Sequence, residues 1–417
     1  MAPEYEDSHP RETDVDQEWR AVKQSAVIFL VGVVLAVALL AAFWFLSRRY
    51  RRLGVMALKA FGILLITLFL AEITLRTYHL FRPLYFFYED SYNRFRGRPF
   101  ADDWDFRLNS KGFKDVEYSE AKTSACRVLG LGDSFAFGVV PYKFNYLTRL
   151  EEILRAEGRD VEIINMGIPR TGPVDYLNLL VREGLCLNPD MVLVSFFAGN
   201  DFVERVYREV KRRKWFEYSF VASFAYYLTH VRPHYQGWSA HGAQTYDDNA
   251  PAFSEEAFLK AEYQRSVVCQ RGNDEFRQGL AAALVELTKM RDVCKYRDIV
   301  FMVVIIPDEV QVNASIQREV MAKAGESAGS RTWDWSQPNT ALAAELDKAG
   351  IAHIDLYPAF REASKQQLLY KPRDSHWNIA GNELAAQVLG KYVAAALSPS
   401  VTNGTTGGEH QIGPHEK

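Results

Sequence analysis

The sequence predicts an α/β fold, a three-layer α/β/α sandwich around a parallel, flavodoxin-like sheet, preceded by two transmembrane helices. Three observations carry this. From Cys126 onward, short apolar runs alternate with helical stripes. Polar, glycine-bearing segments follow those runs. Two long apolar stretches stand before Arg76. Strands that alternate with helices make a parallel sheet covered on both faces.

The first apolar stretch, Ser25 to Leu46, has 22 residues and no charge, enough to cross a hydrocarbon core of roughly 30 Å. The second runs from Val55 to about Leu75, and its centre, Ala60 to Ala71, is uncharged. Lys59 and Glu72 stand near its ends, where long side chains reach the interface. Between the two lie Arg48, Arg49, Arg51 and Arg52. A short basic loop belongs on the cytoplasmic side. If both segments span, the acidic tail 1–24 and everything after Arg76 lie on the far side, in the periplasm or outside the cell. If only the first spans, the arginines and the domain share one side. The expected organisation is therefore a tail 1–24, a membrane region 25–82, an aromatic and arginine-rich connector 83–119, a domain 120–397, and a Gly- and Thr-rich tail 398–417 expected to be disordered.

Within the domain, Arg127 to Leu131 is a short apolar run of the kind a buried parallel strand requires. Leu147, Leu150, Ile153 and Leu154 form a helical stripe over Tyr146 to Ala156. Val161 to Ile164 is the second strand, about Val174 to Glu183 a helix, and Met191 to Phe197 the third strand. The stretch 202–296 interrupts the alternation as an insertion or cap. It is rich in aromatics, and Phe216, Phe220 and Phe224 recur at i+4, which points to a helix packing its own core. It closes with a helix, Glu275 to Cys294. Asp298 to Ile306 and Ala352 to Asp355 are the fourth and fifth strands, Ala341 to Ala349 a helix, and Ile379 to Leu397 the closing helix.

Composition narrows the function classes. The net charge of −3 provides no basic footprint for nucleic acid. The nine histidines and four cysteines show no metal-site spacing. Cys126, Cys186, Cys269 and Cys294 read as isolated thiols, although four cysteines also permit two disulfides. No cofactor is expected. Gly130-x-Gly132 begins like a dinucleotide fingerprint, but position 135 is Phe135 where the third glycine belongs.

In a sheet ordered 2-1-3-4-5, ligands bind beyond the strand ends at the switch point between strands 1 and 3. Directly after strand 1 comes Gly132-Asp133-Ser134, with Gly138 close behind. After strand 2 comes Gly167, after strand 3 Gly199-Asn200-Asp201, and after strand 5 Asp374-Ser375-His376. Acyl transfer to serine requires these residue types. The hydroxyl needs a base to take its proton, histidine suits by its pKa, and a carboxylate orients the imidazole. The oxyanion needs preorganised donors: here the backbone N–H of Ser134, the backbone N–H of Gly167 and the side-chain amide of Asn200. The expected catalytic group is Ser134, His376 and Asp374, with Asp201 and Asp355 as other carboxylates to consider.

These segments resemble the four blocks of the SGNH (GDSL) hydrolases, in order, over about residues 120–397 excluding most of 202–296. Block I is Gly132-Asp133-Ser134, block II Gly167, block III Gly199-Asn200-Asp201, and block V Asp374 and His376. The common family spacing is Asp-x-x-His. The Asp-x-His found here is similar to some branches, including polysaccharide O-acetyltransferases of the bacterial envelope. The resemblance implies the SGNH hydrolase fold and a serine esterase working through an acyl-enzyme on acyl esters, chiefly acetyl, of an envelope glycan or lipid. The alternatives are an O-acetyltransferase acting on an extracellular polysaccharide and a non-catalytic membrane scaffold on the same fold. Partners expected are an acylated glycan or lipid, and membrane lipid around the N-terminal helices.

Overall fold

The computed structural model describes residues 51–81, 92–97, 99–202, 215–226, 228–229, 245–324 and 332–397. The chain divides into two units, Met1–Glu89 with Lys211–Tyr235, and Asp90–Val210 with Gln236–Lys417. The tail 1–24, the apolar stretch Ser25 to Leu46 and the tail 398–417 lie outside the described residues.

In the first unit, helix α1 covers Arg51–Phe81. Its segment Gly54–Tyr78 is long and apolar enough to cross a membrane, and among the described residues it is the one helix that is, where the sequence suggested two. Met56, Ile63, Ile66 and Phe69 are exposed on it. Glu72 accepts hydrogen bonds from Arg76 of its own helix and from Ser219 Oγ and the backbone N–H groups of Phe220 and Val221. The phenylalanines expected on one helix fall on two short elements, a 3-10 turn at Trp215–Tyr218 and a helix at Phe220–Tyr226.

The second unit is built on five parallel strands: β1 (Cys126–Gly132), β2 (Val161–Asn165), β3 (Met191–Phe197), β4 (Val300–Ile306) and β5 (Ala352–Asp355). Their order is β2-β1-β3-β4-β5, as the 2-1-3-4-5 expectation has it. Every residue of β3 is buried, which is why the central strand reads as an unbroken apolar run rather than an alternation. In register, Gly132 at the end of β1 pairs with Ser195 of β3, and Gly130 with Asn165 of β2.

Side chains alternate across the sheet and build two cores. On one face Leu129, Leu131, Val192 and Val194 pack with helices α4 (Pro173–Leu179), α6 (Asp274–Tyr296) and α7 (Gln337–Lys348). On the other, Val128, Leu193 and Val304 pack with α3 (Tyr146–Ala156) and α8 (Ile379–Ala396). Helix α6, with Ala283, Leu287 and Met290 buried, is a layer of the sandwich, so only the earlier part of 202–296 interrupts the fold. That part contributes helix α5 (Glu255–Arg265), which has no amphipathic period to announce it. All four cysteines are free thiols, Cys269 and Cys294 buried and Cys186 exposed.

The connector is woven into this unit. Residues Asp102–Asp103 and Phe106–Arg107 pair as a small hairpin. Lys114 is enclosed, its Nζ 2.5 Å from Asp103 with both side chains fully buried.

Candidate active site

Strand β1 runs into a single-turn helix, α2 (Ser134–Phe137), with Asp133 as its N-cap. Asp133 accepts from the Phe135 N–H at 2.8 Å, and the turn closes on Gly138 in the left-handed region, φ 79°. Ser134 is thereby held at the first position of the turn with its hydroxyl beyond the strand end. Three buried side chains occupy the carbonyls at the far end of this turn. Asn165 Nδ2 donates to Ala136 O at 2.7 Å. Asn145 Nδ2 donates to Ala136 O and Phe137 O. Lys114 Nζ donates to Gly138 O at 2.8 Å and Val140 O at 2.6 Å. A helix end leaves such carbonyls without partners of its own, so these bonds fix where the serine sits. None of the three was singled out in the sequence. Asn145 and Asn165 stand at a helix start and a strand end, where asparagine is common anyway, and Lys114 carries no local signal at all.

The loop before α8 brings the other groups. His376 Nε2 lies 2.7 Å from Ser134 Oγ, and His376 Nδ1 lies 2.6 Å from Asp374 Oδ1. The His376 backbone N–H also donates to that carboxylate. The imidazole is one-fifth exposed and the carboxylate less. Burial works against the charged imidazole, but the Asp374 carboxylate outweighs it and holds the His376 pKa above its ordinary value. Burial likewise works against the Asp374 charge, and His376 outweighs it, so the carboxyl sits below its ordinary range. Trp377 is buried behind the histidine, stacked on Phe360 and edge-on to Phe135. Arg373, just before Asp374, is in the left-handed region at φ 52°, a conformation that costs a non-glycine residue about 1–3 kcal/mol and is held only by its surroundings.

The other two carboxylates considered are engaged elsewhere. Asp201 accepts from the Tyr176 hydroxyl and from the Phe197 N–H at 2.9 Å. Asp355 accepts from Asn339 Nδ2 at 2.7 Å and from the Tyr357 N–H. Asp133 caps its turn and accepts from Asn200 Nδ2 at 3.1 Å, which fixes the Asn200 amide and leaves its second N–H to point elsewhere.

Gly167 departs from expectation. Its N–H donates to Asn165 Oδ1 at 2.9 Å, a local turn bond two residues back, so this donor is already engaged and is not offered to an oxyanion. What glycine does here is steric: a Cβ would run into the backbone of Ala136 and Phe137. Asn200 is tied to Asp133, the residue before Ser134.

Residues 238–413 match the family model described as SGNH hydrolase-like domain, acetyltransferase AlgX. This stretch is similar to an SGNH hydrolase-like domain. The match includes Asp374 and His376, while Ser134 lies upstream of it. No curated protein matches the chain. Among solved structures, the acetyl xylan esterase AlAXEase is 15% identical, over 64% of this chain and 99% of that one, with TM-score 0.37. The acetylxylan esterase Axe2 from Geobacillus stearothermophilus is 13% identical over 65% and 94%, with TM-score 0.36. The lipase/acylhydrolase from Enterococcus faecalis is 13% identical over 66% and 98%, with TM-score 0.35.

Proposed function

We propose that the SGNH hydrolase-like domain is a serine esterase that takes an acetyl group from an envelope glycan or lipid through an acyl-enzyme on Ser134. The observation that carries this is the chain of contacts from Ser134 Oγ through His376 to Asp374. In the first step His376 Nε2 removes the Ser134 proton as Oγ attacks the carbonyl carbon. The tetrahedral oxyanion is met by the Ser134 N–H and the Asn200 amide, and Asp374 stabilises the imidazolium. Collapse expels the alcohol, which takes the proton from His376. Water then enters by the same route and releases acetate. A membrane helix at Gly54–Tyr78, with the arginines at 48–52 on the cytoplasmic side, would hold the domain at the outer face of the membrane, next to such a substrate.

A second reading is favoured by the acetyltransferase name of the matching family model. The acyl-enzyme is then the same, and a sugar hydroxyl replaces water in the second step. One assay series tests both. Full-length protein in detergent should release p-nitrophenol from p-nitrophenyl acetate, and Ser134→Ala should lose about 10⁴-fold or more of that activity. Asn200→Ala should cost about 10²–10³ in kcat, the usual loss for one oxyanion donor. Adding deacetylated oligosaccharide and tracking products by mass spectrometry separates the readings: free acetate supports hydrolysis, acetylated sugar supports transfer. Unchanged activity in folded Ser134→Ala would remove the proposal.

A further inference from the structure

Ser375 lies between His376, which faces Ser134, and Asp374, which holds the far side of the imidazole, and its own side chain is engaged elsewhere. Its hydroxyl donates to Glu262 Oε1 at 3.1 Å and accepts from Arg265 Nη2. Glu262 and Arg265 come from α5, the helix of the interrupting stretch. Arg265 also pairs with Glu262 and, through Nε at 3.1 Å, with Asp308 at the end of β4. Glu262, Asp308 and Ser375 are all buried. Burial pushes the Glu262 and Asp308 carboxyls up, and the guanidinium between them pulls the other way.

The same stretch touches the loop at further points. The Ala252 N–H donates to Pro372 O and the Phe253 N–H to Arg373 O. Lys371 Nζ donates to Asp247 O at 3.0 Å, and Asp248 accepts from the Ile379 N–H. The strained Arg373 backbone is thus tied on both sides.

We propose that residues 247–265 brace the Asp374-Ser375-His376 segment, with Arg265 and Glu262 as positioning residues that act through the Ser375 hydroxyl. The three residues are short enough that anchoring the middle side chain sets the direction of both neighbours. A misplacement of about 1 Å in such a group can cost on the order of 10²-fold in rate. This inference rests on the proposed roles of His376 and Asp374.

Removing Arg265 outright would leave buried acids unpaired and threaten folding, so the test uses Ser375→Ala, which leaves the Arg265–Glu262 pair intact. In the full-length protein kcat for p-nitrophenyl acetate should fall about ten- to a hundredfold, with KM and Tm nearly unchanged. Ser375→Thr, which keeps the hydroxyl, should recover most of the loss, and Arg265→Lys, which keeps the charge but not the fork, should behave like Ser375→Ala. A second readout does not need turnover: the low-field proton resonance of His376 Nδ1–H against Asp374 should broaden in Ser375→Ala. Wild-type kcat, or an unchanged resonance, in Ser375→Ala would overturn the brace. Absence of Ser134-dependent cleavage in the wild type would instead overturn the esterase reading, and the resonance would still decide the brace.

Discussion

At the scale of single residues, His376 balances two opposing effects. Burial favours its neutral form, while Asp374 2.6 Å away favours the imidazolium and prevails. In the proposed mechanism the neutral imidazole is the base, so ester cleavage rises as pH passes upward through the His376 pKa, above the ordinary imidazole value. In Asp374→Asn the amide no longer stabilises the charged ring, and burial is opposed only by the weaker pull of Asp133. The midpoint of the pH–rate profile should therefore move to lower pH while the plateau falls. A midpoint that stays put, measured by initial rates across neutral pH, would mean that another group sets it. Three carboxylates were open in the sequence. Asp201 and Asp355 each spend their oxygens on a neighbour's side chain and backbone, and only the folded loop geometry brings Asp374 onto the ring.

At the scale of elements, the short turn α2 is the part the rest of the fold is arranged to hold. Its first residue is Ser134, and its far end rests on Asn145, Asn165 and Lys114. Asp115, next to Lys114, adds a bond from the Asn165 N–H at 2.7 Å and one from the Tyr142 hydroxyl, and burial pushes its carboxyl up to about 7. The connector therefore acts as a strap under the turn that carries Ser134. Lys114→Met should take the ammonium away from buried Asp103 and cost about 3–5 kcal/mol, read as a lower denaturation midpoint. The double variant Lys114→Met with Asp103→Leu should regain much of that loss, since an apolar pair of similar size avoids the uncompensated charge. A single variant as stable as the wild type would remove the strap from the account.

At the scale of the whole molecule, the arginines at 48, 49, 51 and 52 precede the apolar segment Gly54–Tyr78 of the one described helix that can cross a membrane. If that helix spans a membrane, the positive-inside rule predicts the chain beyond Phe81 on the outer side. Alkaline phosphatase, active only after export, should be active when fused after Arg98 and silent when fused after Arg52. The reverse pattern would place the SGNH hydrolase-like domain in the cytoplasm. By itself the sequence determined the five strands in order, most of the helices, the positions of Ser134 and Asn200 just after strands, and that of Asp374 and His376 in the loop before the closing helix. Strand and helix periods are local, and in a parallel sheet every strand must end at the same edge. Tertiary structure alone decided the features that depend on distant partners in a buried, low-dielectric setting. Asn165 takes the Ala136 carbonyl, Lys114 is committed to the turn behind Ser134, and Arg265 reaches Ser375 across 110 residues of chain. No periodicity marks such residues, because their selection comes from the desolvation cost of the polar groups they satisfy.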